Sequence, residues 1–215
     1  MKIRPLIDAS TFAFVVILTF AACDNSPAKG KPQAATAEPV AAAAAHASAV
    51  KYTFSNAGSK IDFVGAKVTG KHDGSFQSFT GNVSLVDNNP EKGSVSTEID
   101  VASLKSDQEK LTAHLKTPDL LDVAKYPKAT FASTSIKAGG EKGASHTVTG
   151  NFQLHGVTKS ISFPATIKIN GDAVDVDAEF AINRKDFGIV YPGMPNDLIK
   201  DDVLLKLHVR AVKGV

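Results

Sequence analysis

Between residues 50 and 212 apolar and polar side chains alternate with a period of two, and this excludes most folds at once. Such alternation sends one face of each segment to a core and the other to water, the pattern of antiparallel strands. Val95, Thr97, Ile99 and Val101 alternate with Ser94, Ser96, Glu98 and Asp100. Val148, Gly150, Phe152 and Leu154 alternate with Thr147, Thr149, Asn151 and Gln153. The runs 161–169, 174–182 and 203–211 repeat the pattern, less regular strands cover 60–69, 81–87 and 129–136, and a short first strand covers 51–55. Asp87-Asn88-Asn89-Pro90, Gly139-Gly140-Glu141-Lys142-Gly143 and Asn170-Gly171-Asp172 separate them as turns. Links this short join antiparallel neighbours, because a parallel crossover needs a dozen or more residues. Roughly eight strands with one apolar face each must stack as a sandwich or close as a barrel.

One stretch breaks the alternation. Ser106-Asp107-Gln108-Glu109 matches a capping box and predicts a helix over 107–115. Thr117-Pro118 then restarts a shorter helix carrying Leu120, Leu121 and Val123. This insertion, about 107–122, either caps a barrel end or crosses a sandwich surface.

The chain is 43% hydrophobic and 21% charged, enough to bury a core. Its 24 basic and 22 acidic residues leave a net charge of +2, which excludes a dedicated nucleic-acid binder.

The amino terminus reads as an address. Lys2 and Arg4 precede an uncharged run from Ala9 to Ala22. That run is shorter than the roughly 20 residues of a membrane span and fits a secretory signal. It ends in Leu18-Thr19-Phe20-Ala21-Ala22-Cys23, and Cys23 is the only cysteine. Two small residues before a lone Cys resemble a bacterial lipobox, although Phe20 and Asp8 depart from the usual pattern. Residues 1–22 are therefore expected to be a signal peptide and Cys23 a lipid attachment point. The alternative is an ordinary secreted protein with a stray buried Cys. Asp24-Asn25 favours retention at the inner membrane, on the periplasmic side of the cell envelope. Residues 23–49 are Ala- and Pro-rich without apolar period and are expected to form a disordered tether, leaving 50–215 as one domain.

Catalytic chemistry is not visible. There is no Gly-x-Ser-x-Gly elbow, phosphate loop or dinucleotide fingerprint. His72, His114, His146, His155 and His208 form no ligand-spaced pair, so no metal site is expected; His72 and His146 fall in turn-like stretches. His114 suits the carbonyl end of its helix, and His155-Gly156 reads as a turn in which the imidazole bonds local backbone. Asp119/Asp122 and Asp201/Asp202 read as caps and solvated loops. What remains is apolar: Phe63, Phe76, Phe79, Phe131, Phe152, Phe163, Phe180 and Phe187 fall on or near strands. They suit a filled core, and they equally suit the lining of a barrel that holds one small ligand.

Three segments add a resemblance. The first is His114-Leu115-Lys116, Asp119-Leu120-Leu121-Asp122 and Tyr126-Pro127-Lys128-Ala129-Thr130-Phe131. The second runs Val148-Thr149-Gly150-Asn151-Phe152-Gln153-Leu154-His155-Gly156-Val157-Thr158-Lys159, and the third is Asn183-Arg184-Lys185-Asp186-Phe187-Gly188. Together they resemble the YceI-like family of bacterial secreted proteins across the whole domain. The resemblance implies an all-β, lipocalin-like antiparallel barrel of eight strands with a short helical insertion near one end. It further implies a lumen for a long apolar chain such as a polyisoprenoid, quinone tail or fatty amide. Here Leu120-Leu121 replaces the family's aromatic pair, and these leucines join the eight phenylalanines as candidate lining. Ile189-Val190-Tyr191-Pro192-Gly193-Met194-Pro195 is a candidate lid or a plain long loop. Arg184 is a candidate head-group contact, against the alternative of a structural ion pair with Asp186 or another acid.

The expected function is sequestration or carriage of a long-chain isoprenoid-like lipid by a non-enzyme, without any cofactor beyond such a lipid or a quinone. The rivals are a filled-barrel interaction module tethered to the membrane and a quinone- or haem-type redox partner. Exposed edges or an open mouth also suit a homodimer.

Overall fold

The computed structural model describes residues 26–41 and 48–214. The expected signal and Cys23 lie outside the described residues.

In chain order the strands are β1 (Ala35–Ala37), β2 (Val50–Ser55), β3 (Lys60–Lys67), β4 (Gly70–Phe76), β5 (Phe79–Val86), β6 (Asn89–Asp100) and β7 (Leu104–Ser106). After helix α1 (Glu109–Leu115) come β8 (Lys128–Ala138), β9 (His146–Leu154), β10 (Val157–Asn170) and β11 (Ala173–Asn183). A small hairpin of β12 (Gly193–Met194) and β13 (Asp197–Leu198) precedes β14 (Asp202–Lys213). Short breaks divide β2 from β3, β4 from β5 and β6 from β7, so each of these pairs acts as one long stave. Every stave pairs antiparallel with the next in the chain. β14 then closes the ring on β11 and on β2/β3, matching Leu204 to Val64 and Val212 to Thr53. The result is a closed antiparallel barrel of eight strands, and the sandwich alternative falls.

The hairpins follow from local chemistry. Asp87 and Asn88 both take positive φ, 55° and 53°, as does the pair His155 and Gly156 at 52° and 75°. Two consecutive left-handed residues twist a two-residue turn to match its strands. β4 and the start of β6 were not expected; His72 lies on β4, and His146 begins β9 rather than standing in the turn before it. The capping box does not form. Ser106 Oγ donates to the Gln108 carbonyl, and Gln108 occupies the cap position without a side-chain bond. The segment from Thr117 folds as successive turns rather than a second helix.

The two barrel ends differ. At one end short turns join β5–β6, β8–β9 and β10–β11, and Leu85, Val174 and Ala211 are buried. The other end carries α1, the turns after it and residues 184–201.

The expected tether is corrected in part. Residues 32–37 are built into the wall. Ala35, Thr36 and Ala37 pair with Ser162, Ile161 and Ser160 of β10. On the other side the Ala34 amide donates to the Ala181 carbonyl, and the Ala181 amide donates to the Pro32 carbonyl. Ala28 and Ala34 are buried. An Ala- and Pro-rich segment buries little side chain, yet its extended backbone supplies donors and acceptors wherever a sheet leaves them unpaired.

Glycines let the large rings lie close to the wall. A Cβ on Gly81 falls 2.1 Å from Phe54 Cζ, one on Gly74 falls 2.2 Å from Phe63 Cζ, and one on Gly150 falls 2.4 Å from Phe131 Cζ. Each ring therefore occupies the place of a missing side chain. Gly81→Ala forces the Phe54 ring off the wall and crowds the Ser96 carbonyl at 2.5 Å. We expect it to lower stability by about 1–3 kcal/mol, read as a reduced midpoint in urea unfolding.

Candidate functional site

The barrel encloses a cavity of about 460 Å³, within the range of roughly 300–1,000 Å³ usual for small-molecule sites. Its wall is almost wholly apolar. Strand alternation places Phe63, Phe76, Phe131, Phe152, Phe163 and Phe180 in the lining. Leu120 and Leu121 join them from the turns after α1, so that segment does face the lumen. Two expected residues are not in the lining. Phe79 packs at the kink between β4 and β5, and Phe187, fully buried, meets the Phe152 ring edge-on at 5.3 Å. Phe54 also lines the cavity and was missed, and Tyr191 of the candidate lid lines it too. For Phe54 the signal was present as the alternation Tyr52-Thr53-Phe54 facing Gly81.

Polar groups gather at the end that carries α1. The ionisable residues of the lining are Lys67, His72, His114, Arg184 and Asp197. Each basic side chain among them has a carboxylate partner. Lys67 holds Asp197, His72 Nδ1 lies 3.0 Å from Asp107, and His114 Nε2 lies 3.3 Å from Asp119. The helix carbonyl end is therefore not what His114 meets. His155, in its turn, bonds the distant Phe187 carbonyl through Nδ1 at 3.2 Å rather than local backbone. The uncharged polar groups of the lining are Thr97, Gln108 and Tyr191. No group of three or more His, Cys, Asp or Glu that could hold a metal ion occurs among the described residues.

Arg184 begins a one-turn helix after β11, and only 4% of it is exposed. Its Nε donates to the Lys200 carbonyl, Nη1 to the Ile189 carbonyl at 2.6 Å, and Nη2 to Asp201 Oδ1 at 3.1 Å. Its acid is Asp201, not Asp186, which accepts from the Thr36 hydroxyl. Arg184 thus ties both limbs of the 184–201 segment together. Ile189 is buried, Tyr191 faces the cavity, and Met194 lines it while standing 62% exposed, so this segment does cover the mouth.

Asp197 pins the small hairpin. Lys67 donates to its carboxylate, the Thr69 amide donates at 3.1 Å, and the Thr69 hydroxyl at 2.9 Å. These bonds, that of Lys67 first, hold its pKa below the ordinary 3.8.

Two outcomes follow. Arg184→Met leaves the Lys200 and Ile189 carbonyls without their guanidinium donor and Asp201 with only Lys185, and it should cost about 2–3 kcal/mol in urea unfolding. Asp186→Asn should change stability little. For Asp197, a carboxyl with a depressed pKa stabilises above its unfolded value and loses that contribution as pH falls through the folded one. Hydrogen exchange should therefore show residues 193–198 opening only as pH drops below 3.8, with β10 and β14 still protected.

Comparison with known proteins agrees with this architecture. The chain spans 70% of a UPF0312 protein of Pseudomonas putida strain W619, with 38% identity over 138 residues and 60% of this chain. A UPF0312 protein of Pseudomonas fluorescens is 36% identical over 141 residues, 62% of this chain and 71% of that one. Among solved structures, Burkholderia cenocepacia BcnA matches with a TM-score of 0.65 at 26% identity, covering 73% of this chain and 98% of that one. A polyisoprenoid binding domain from Saccharophagus degradans shares the fold at 16% identity and a TM-score of 0.60, over 77% of this chain and 99% of its own. The YceI-like domain profile matches residues 52–211, the whole barrel, and the chain belongs to the YceI-like family.

Proposed function

We propose that the barrel binds one long-chain, isoprenoid-like lipid in its lumen and carries it chemically unchanged. The observation that carries this reading is the hollow apolar interior, kept open by rings seated over glycines. A cavity of this kind argues against the filled-barrel alternative. Each methylene buried contributes about 0.8 kcal/mol. Ten of them give about 8 kcal/mol, a gross affinity near micromolar before ordering costs are subtracted. The structural neighbour described as a polyisoprenoid binding domain supports the same ligand class.

The mouth narrows the choice of head group. With Lys67 and Arg184 already matched to carboxylates, and an acid beside each of His72 and His114, a phosphate finds no unpaired basic partner in the lining. Gln108, Tyr191 and Thr97 offer neutral hydrogen bonds instead. The head group is therefore an uncharged one, such as a hydroxyl, an amide or a quinone ring. Arg184 keeps a positioning role through the mouth segment. The same reading puts the protein on the periplasmic side of the envelope, anchored by a lipid on Cys23; the lipobox-like residues before Cys23 support this.

Gly65 supplies the test. It lines the cavity, and a Cβ there meets nothing within 4 Å, so Gly65→Phe can fill the lumen without disturbing the wall. The purified protein should release a stoichiometric long-chain lipid on solvent extraction and mass spectrometry. Gly65→Phe should fold with a similar melting temperature and release none. An empty wild-type protein, or equal lipid in both, overturns the proposal.

A further inference from the structure

The wall has one place where its backbone pairing depends on a segment from outside the meander. β10 and β11 are paired from Thr166–Asp177 to Asn170–Ala173 and diverge beyond that point toward the mouth. In the open half, β10 is paired on one side only, with β9, and β11 only with β14. Residues 32–37 fill the gap, running parallel to β11 at Gln33–Ala181 and antiparallel to β10.

We propose that this seam is a lateral portal for a long-chain lipid and that residues 32–37 are its removable closure; this rests on the lipid-binding reading above. Three observations support it. The side chains behind the seam belong to the lumen: Ile161 and Phe163 from β10, Phe180 and Ile182 from β11. Phe163 and Phe180 stack across it with centroids 4.1 Å apart and an interplanar angle of 11°. Parting the closure and this pair exposes the mouth-side half of the cavity.

The closure is also lightly held. Its strand is three residues of Ala and Thr, all exposed. Its side-chain ties include surface ion pairs, Lys31 with Glu179 and Glu38 with Lys159. Exposed pairs of this kind contribute little, and segments with few buried contacts open most readily. By contrast β14 is paired with β11 from Asp202 to Val212.

The open half of the seam meets the mouth, since Asn183 leads directly into Arg184 and the segment that covers it. End-on entry requires a long chain to thread past α1 and that clamped segment. Release of the closure turns mouth and seam into one slot, so the chain slides in sideways while its head group stays at Gln108 and Tyr191.

The experiment pairs Ala35→Cys with Ser162→Cys, which face each other in register, in a full chain carrying Cys23→Ser. Uptake of the uncharged methyl ester of an anthroyloxy-labelled stearate from phosphatidylcholine vesicles is followed by fluorescence. The oxidised protein should load at least ten-fold more slowly than the reduced protein, reach the same final occupancy, and recover on addition of dithiothreitol. Ala34→Pro removes the amide bond to Ala181 and should load several-fold faster than the parent chain. Equal rates in the oxidised, reduced and Ala34→Pro proteins, with probe bound, overturn the portal and leave lipid binding standing. Probe bound by none of them overturns lipid binding and the portal with it.

Discussion

Ring closure is the constraint on which the rest depends. A sheet of antiparallel staves with one apolar face has two unpaired edges and an interior to cover, and joining the edges answers both needs. β14 makes the join, paired with β11 along its whole length and with β2/β3 on the other side. Once closed, inward positions are fixed residue by residue, because a slip of one residue would turn every side chain to the opposite face. The cavity lining is thus a consequence of register.

Closure alone does not make a hollow barrel. Eight strands leave an interior that ordinary side chains can just fill. In this chain large inward rings are matched with glycines, Phe54 with Gly81, Phe63 with Gly74 and Phe131 with Gly150, so aromatic mass lies along the wall rather than across the lumen. Closing one end with Leu85, Val174 and Ala211 and keeping polar groups at the other gives the space a direction, with an apolar floor and a hydrogen-bonding rim.

Much of this was legible in the sequence, and the parts that were not have physical reasons. The strands carrying Val95, Val148, Ile161, Val174 and Val203 alternate cleanly because each has one wet face. β4 hides its alternation, since Gly70, Lys71, Asp73 and Gly74 surround His72 near a polar rim. Whether the core was filled or hollow could not be read from the phenylalanines, which occupy inward positions in either case; the glycines beneath Phe54, Phe63 and Phe131 only show their effect once the strands are in register. Arg184 sits at a strand end, where either a head group or a nearby acid such as Asp186 could meet it, but the chain bends to bring Asp201 and two carbonyls to its guanidinium. The amino-terminal segment was misread because composition reports side-chain burial, while the seam asks only for extended backbone.

The hollow interior has a thermodynamic side. An apolar space lined by rings and aliphatic groups forgoes the dispersion contacts a packed core enjoys. An occupant that binds only the folded chain restores them and adds stability, about 2.7 kcal/mol at a hundred-fold excess over its dissociation constant. Barrels of this design are therefore hardest to unfold when loaded. With the proposed lipid as that occupant, loaded molecules would outlast empty ones in the presence of proteases, and the amount of protein would follow the supply of lipid.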